Sequence, residues 1–517
     1  MNIKKLKILH KLASNKTIAA FLAIVIFGLI LRVYFIFNFG VFTDEVFYTE
    51  AARLNSFGNI LSHNFWIKDH GVLYIAFLKI IQFVTTDIIF LRLSNVFIYL
   101  LISFSLFSFF KKIRNDLTSL IPVALFSFFP YFVFTNVYVS VYNFVILFSV
   151  LTFICVSRFI LFKEKNSWVY LFSFVIFLTL AFYSDYSSIY LYLSLIGVLI
   201  FTYFFKKEKF VFITPGLFLN FILILPGAWQ FLTNLYKINN LSSPCCFGDS
   251  KFSLFFPNFL HAVFFRTDFI FSSFFLIVLV ISLFLIFLKN KNEAIKYLIT
   301  YTGFGFLTSF VFLYFVNRFF LPIFVERTFF IFNFFLILCL YCLFFFKFKF
   351  KKIFFLVIFL FGFVVFGLFQ TSANLDIPGN VPDVNIRHTD LIRELIKKEN
   401  IKDVEEVIFL DKNYFYYPLQ KYYFLGVSDY MKKTVIEDFG NKRYLVTKTF
   451  RSLKYHSRSN YNQLFILFDT KDFDFNGLKK EIANYKKETG SNSEKIFYAL
   501  ECSSKINYCS FKKLDLK

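Results

Sequence analysis

The sequence predicts an α-helical polytopic membrane protein with about eleven transmembrane helices and a small extracytoplasmic α/β domain at its C-terminus. Three observations carry this. Of the 517 residues, 58% are apolar, 88 of them Phe, and the mean hydropathy is +0.63. Apolar runs of about twenty residues recur, which is the length that crosses a bilayer. From about Gln370 the composition turns soluble-like and stays so to Lys517.

A soluble globule cannot hide this much apolar side chain, because its surface grows too quickly relative to its volume. The chain has only 17 Gly and 10 Pro, which excludes a collagen-like or low-complexity fibre. The net charge is +23, from 56 Lys and Arg against 33 Asp and Glu. In a soluble protein that balance points to nucleic acid. Here the lysines sit between apolar runs, so topology accounts for them: membrane lipids are expected partners and nucleic acid is not. Cys155, Cys339 and Cys342 lie in apolar runs, whereas Cys245, Cys246, Cys502 and Cys509 lie in polar segments. No cysteine spacing resembles a zinc site. Cys245 with Cys246, and Cys502 with Cys509, are candidates for disulfides outside the cytosol, with the pairing open.

The elements follow in order. Lys4, Lys5, Lys7, Lys11 and Lys16 precede an apolar run at 17–38, too long for a signal-peptide core and read as an uncleaved anchor. Residues 39–89 form a long extracytoplasmic loop of mixed polarity. Further spans are expected near 90–110, 117–136, 139–160, 168–183, 187–205, 210–230, 269–288, 297–316, 328–346 and 353–370. Alternate loops and the N-terminus together hold 21 Lys and Arg, against nine in the opposite loops. The positive-inside rule then places the N-terminus in the cytosol of a plasma-membrane protein, and an odd number of spans places the tail outside. Residues 1–370 are read as the membrane module and 371–517 as the outer domain. Within the latter, Pro378 and Pro382 mark a linker, a helix is expected from Thr389 to Lys398, and strands are expected at 407–410, 464–468 and 495–500.

The most informative stretch is Leu31-Arg32-Val33-Tyr34, then Phe42-Thr43-Asp44-Glu45, then Ala51-Ala52-Arg53-Leu54, and later Lys68-Asp69-His70-Gly71-Val72-Leu73-Tyr74. Adjacent carboxylates just after a first span are costly unless they face a polar cavity. The plain alternative is a pair of solvated loop acids, and Asp69-His70 can likewise be an ordinary polar pair. Asp185 reads as a solvated turn residue, Glu326 and Arg327 as a pair at a helix start, and Arg32 and Arg92 as side chains snorkelling to headgroups.

These segments resemble the GT-C superfamily of membrane glycosyltransferases. The nearest branch is the protein O-mannosyltransferase and aminoarabinose transferase group, that is, glycosyltransferase family 39-like proteins. Arg92-Leu93-Ser94 resembles that branch's Arg-Leu-x-Ser, and Tyr142 the Tyr of its Arg-x-Tyr-Ala-Leu segment. Tyr183-Ser184-Asp185-Tyr186 is similar to its Tyr-Thr-His-Tyr, and Pro322 through Glu326-Arg327 to its Pro-x-x-x-x-Arg-Tyr. The resemblance covers roughly residues 20–370. The chain departs where the branch has an acid or basic-acid pair before the Tyr: Tyr138, Val139, Ser140 and Val141 stand there instead.

The resemblance implies transfer of a sugar from a polyprenyl-phosphate donor to a hydroxyl or amine of a lipid, glycan or protein acceptor on the outer face. A polyprenyl phosphate leaves as a stable anion, so one carboxylate acting as base suffices, unlike the carboxylate pair of a glycosidase. Asp44 is the expected base, with inversion at the anomeric carbon, and Glu45 its support. Lys68, Asp69, His70, Tyr74, Asp185, Arg53 and Arg327 are the expected substrate contacts, the cations serving the phosphate. No cofactor or metal is required in this reading; a divalent ion between acids, as in the oligosaccharyltransferases of the same superfamily, stays an alternative that the missing second acid does not favour. Two rivals remain: a transporter or flippase of lipid-linked sugars, and a catalytically inactive assembly subunit with the same fold. Charges gathered at span ends, without matching halves, favour the enzyme over the transporter.

Overall fold

The computed structural model describes residues 16–38, 45, 48–49, 51–52, 56–61, 72–85, 88–162, 167–240, 269–319 and 330–343, and six strands between 406 and 514. The chain divides into two compact units. One comprises Met1–Phe37 and Asn55–Asn380; the other comprises Asn38–Leu54 and Val381–Lys517.

The first unit is helical because backbone polar groups in lipid must be satisfied within their own segment. Its helices are α1 (Lys16–Asn38), α2 (Phe57–Leu61), α3 (Val72–Gln82), α4 (Ile88–Ile113), α5 (Ile121–Phe128), α6 (Pro130–Val137), α7 (Tyr142–Leu161), α8 (Ser167–Ser184), α9 (Ile189–Phe205), α10 (Lys207–Asn240), α11 (Phe269–Lys289), α12 (Glu293–Phe319) and α13 (Phe330–Leu343). Among the described residues, seven helices are long and apolar enough to cross a membrane, or eight if a bent pair counts as one span. An α-helical polytopic membrane protein is what the sequence predicts, and this is what is found.

The details differ in three places. The loop expected over 39–89 contains α2 and the apolar helix α3. The run expected as one span at 117–136 is broken by 63° between Leu117–Phe128 and Tyr131–Val137, where Phe129 is extended and residue 130 is a proline. The span expected at 210–230 continues to Asn240 as α10, through Pro215 and Pro226. The span expected at 353–370 lies outside the described residues.

The core forms where small residues let helices approach. A Cβ on Gly197 of α9 would stand 2.8 Å from the carbonyl of Thr300 on α12, and one on Gly305 of α12 would stand 2.8 Å from Cβ of Ser194 on α9. Aromatic rings fill the rest: Phe153 of α7 meets Phe109 of α4, Tyr301 of α12 and Phe334 of α13 at 5.1–5.6 Å.

In the second unit six strands form one sheet: β1 (Glu406–Leu410), β2 (Thr434–Phe439), β3 (Lys442–Thr447), β4 (Gln463–Leu467), β5 (Lys495–Ser503) and β6 (Tyr508–Leu514), in the order β2-β3-β1-β4-β5-β6. The inner pairs are parallel and the two edge pairs antiparallel. The three expected strands are β1, β4 and β5. Each expected start falls within one residue of the strand found. The β5–β6 register sets Cys502 opposite Cys509. The helix expected at 389–398 lies outside the described residues.

Candidate active site

Of the residues expected to form the site, Glu45, Tyr74 and Asp185 are described. Asp44, Arg53, Lys68, Asp69, His70 and Arg327 lie outside the described residues, so no geometry brings them together with the rest.

Glu45 belongs to the second unit. It is helical and 1% exposed, and Thr49 Oγ1 donates to its carbonyl at 2.8 Å. Glu45, Tyr48, Thr49 and Ala52 are all buried, and their spacing places them along one helical face. Glu45 is thus not a solvated loop acid. A carboxyl group so buried needs polar partners inside the protein.

In the first unit, Tyr74 is fully buried and built into a hydrogen-bonded network. Its hydroxyl donates to Asn95 Oδ1 at 3.0 Å and accepts from the backbone N–H of Ser140 at 3.1 Å. Asn95 Nδ2 donates to the carbonyl of Tyr138. Asn143 Nδ2 donates to the carbonyls of Tyr138 and Ser140 at 3.0 and 3.2 Å, and Asn143 Oδ1 accepts from Asn136 Nδ2 at 2.8 Å. Arg92 Nη1 donates to the carbonyl of Ile36 at 3.2 Å, and the guanidinium stands 5.5 Å from the ring centre of Tyr138. The turn at 138–141, where the resembling branch carries charged residues, is therefore bonded directly from α3, α4 and α7 by a phenol and two amides, with the Arg92 guanidinium near the Tyr138 ring and Asn136 of α6 behind Asn143.

Two expectations are corrected here. Arg32 and Arg92 do not snorkel: they are 0% and 1% exposed. They donate to carbonyl oxygens inside the bundle, and Arg32 also to the side chain of Asn136. Asp185 is not a solvated turn residue either, being 5% exposed. Its Oδ1 accepts from the N–H of Ser187 at 2.8 Å and from the Ser187 hydroxyl, capping the 3-10 turn Tyr186–Ser188 that leads into α9. That cap explains the residue as structure, and a substrate role must be compatible with it.

Sequence reasoning passed over Asn95, Asn136 and Asn143. Amides inside apolar spans are themselves a signal, because lipid offers them no partner. Among the described residues, no group of three or more His, Cys, Asp or Glu comes together in a way that could hold a metal.

The model of the dolichyl-phosphate-mannose-protein mannosyltransferase family matches residues 69–229, which is less than half of the chain. The matched segment contains Tyr74, Asn95, Asn136, Asn143 and Asp185, and begins after Asp44 and Glu45. Over that segment the chain is similar to the mannosyltransferases of that family. No curated protein matches the chain.

Proposed function

We propose that the protein transfers a sugar from a polyprenyl-phosphate donor to a hydroxyl or amine of an acceptor on the extracytoplasmic side, with inversion and with Asp44 as the base. The observation that carries this is the mannosyltransferase match over 69–229, starting at the Asp69-His70 pair. The loop holding Asp44 and Glu45 precedes it in the chain.

The chemistry asks little of the protein. The phosphate leaves as an anion, so only the acceptor's proton needs a base. Asp44 takes that proton while Glu45 orients it or binds a sugar hydroxyl. Lys68, Arg53 and Arg327 serve the departing phosphate by charge-assisted bonds. Asp69, His70, Tyr74 and Asp185 contact sugar or acceptor. No metal or cofactor is invoked. Nucleotide sugars are cytosolic, so an outward-facing site needs a donor that the membrane itself delivers.

The test is Asp44→Asn in membranes supplied with radiolabelled polyprenyl-phosphate sugars. Removing a general base lowers turnover by roughly 10²–10⁴-fold, and the protein should still accumulate at the wild-type level. A variant that transfers label as fast as wild type overturns Asp44 as the base. A wild type that transfers none of the donors offered overturns the transferase reading.

A further inference from the structure

We propose that Arg32 is a positioning residue: it holds the broken span α5–α6 in its bent form and, through Asn136 and Asn143, fixes the turn at 138–141 beside Tyr74. In an unbroken helix the carbonyl of Phe126 accepts from the N–H of residue 130, and that of Ser127 from residue 131. Residue 130 is proline and has no N–H, and the limbs part by 63° at that point. Two carbonyls are thereby released within a membrane bundle, where water cannot serve them.

Arg32 serves both. Its Nη1 donates to the carbonyl of Ser127 at 2.9 Å and its Nη2 to that of Phe126 at 3.3 Å. Nη1 also donates to the carbonyl of Gly28 at 3.1 Å, on its own helix. Nε and Nη2 both donate to Asn136 Oδ1, at 3.4 and 3.1 Å, on the second limb of the break. The guanidinium lies 3.7 Å from the ring centre of Tyr99. One planar fork therefore joins α1 to both halves of the broken span. These five bonds match the five N–H donors of a guanidinium, so none is left over for a substrate phosphate.

The same acceptor carries the constraint onward. Asn136 turns its Oδ1 to Arg32, which directs its Nδ2 to Asn143. Asn143 in turn directs its own Nδ2 to the carbonyls of Tyr138 and Ser140. Asn95 and Tyr74 close the turn from the other side. The consequence for catalysis rests on the transferase reading above, in which Tyr74 contacts substrate.

Hydrogen exchange read by mass spectrometry on the full-length protein in nanodiscs tests this directly, without any substrate. Arg32→Gln and Arg32→Lys should each raise exchange of the amides at 131–143 by about tenfold or more, while those at 150–161 in α7 keep their protection. Lysine keeps the charge but not the planar fork, so it should not rescue. Wild-type exchange in Arg32→Lys, or no change in either variant, overturns the proposal. If the Arg32 variants fail to accumulate, Asn143→Ala decides. Faster exchange confined to the turn supports the proposal, and unchanged exchange there overturns it. In a parallel transfer assay with a radiolabelled polyprenyl-phosphate hexose, Asn143→Ala should lower the turnover rate and leave the half-saturating donor concentration unchanged. A wild type inactive with this donor refutes the transferase reading while the exchange result still judges Arg32. Flat exchange in an active protein refutes the role of Arg32 alone.

Discussion

The two ends of the helical unit hold their charges by opposite means. At the end where α1 meets the broken span, the buried Arg32 is surrounded by backbone carbonyls, an amide and an aromatic ring. At the other end, charges meet charges in partial solvent. Arg114 pairs with Asp116, both side chains being 40% or more exposed, and Lys206 Nζ lies 2.7 Å from Glu293 Oε2. Lys209 rests 4.4 Å from the ring centre of Phe159. The difference teaches where charge does structural work. A buried guanidinium is stable only when each donor is met, and removing a partner strands the rest. An exposed pair gains little, because water would have served both ions nearly as well.

The largest effect that could break this comparison comes from crowding the buried end. A Cβ on Gly28 would stand 2.2 Å from the Tyr99 hydroxyl and 3.0 Å from Ser127 Cβ. Tyr99 is fully buried, and its hydroxyl is bonded to the carbonyl of Val25 and to Ser127 Oγ, so it has little room to yield. Gly28→Ala should cost about 1–3 kcal/mol, and Gly28→Val more, measured by denaturation in detergent. A neutral Gly28→Ala would mean that the Arg32 cage is loosely packed and that the contrast is overstated.

A smaller effect sharpens the comparison at the charged end. Partial burial works against ionised Asp116, but hydrogen bonds from Thr118 and Arg114 and the Arg114 charge outweigh it, leaving the carboxyl below its ordinary value of 3.8. A carboxyl so lowered stabilises the fold above its unfolded value, and that contribution is lost as pH falls through the folded value. Exposure and screening keep it below about 1 kcal/mol. The stability difference between wild type and Asp116→Asn should therefore be small and present at pH 7, and should shrink as the pH drops below 3.8. A difference that grows on acidification would contradict this account.

The smallest effect is expected from Glu293→Gln. Its carboxylate is 58% exposed, so the change should stay within about 0.5 kcal/mol and diminish further with added salt. A loss as large as that of Gly28→Ala would show the two ends to be equivalent.

Much of the fold was legible in the sequence, because lipid demands long apolar runs and those runs are local. Spans 17–38, 139–160 and 168–183 match α1, α7 and α8 within a few residues. The strands β2, β3 and β6 were not, since in a sheet with antiparallel edges β2 and β6 mix Glu, Asp and Lys into their apolar pattern. Helix α3 was folded into a loop because its 11 residues fall short of a span. Of the hydrogen-bonded network around the turn, Tyr74 was singled out through its neighbours in the chain. Asn95, Asn136 and Asn143 were not, because each is a lone amide whose partners lie on other helices.

By itself the sequence determined that this chain lives in a membrane and where most of its helices run, since hydropathy is summed over neighbouring residues. It also removed an N–H donor at residue 130, because a proline lacks one wherever it stands; α10 runs on through Pro215 and Pro226, so the bend itself was not set by proline alone. Only the tertiary structure decided what became of the carbonyls released at the bend. Arg32 lies 94 and 95 positions from the residues it completes, and a bond across that distance is made by folding, not by composition.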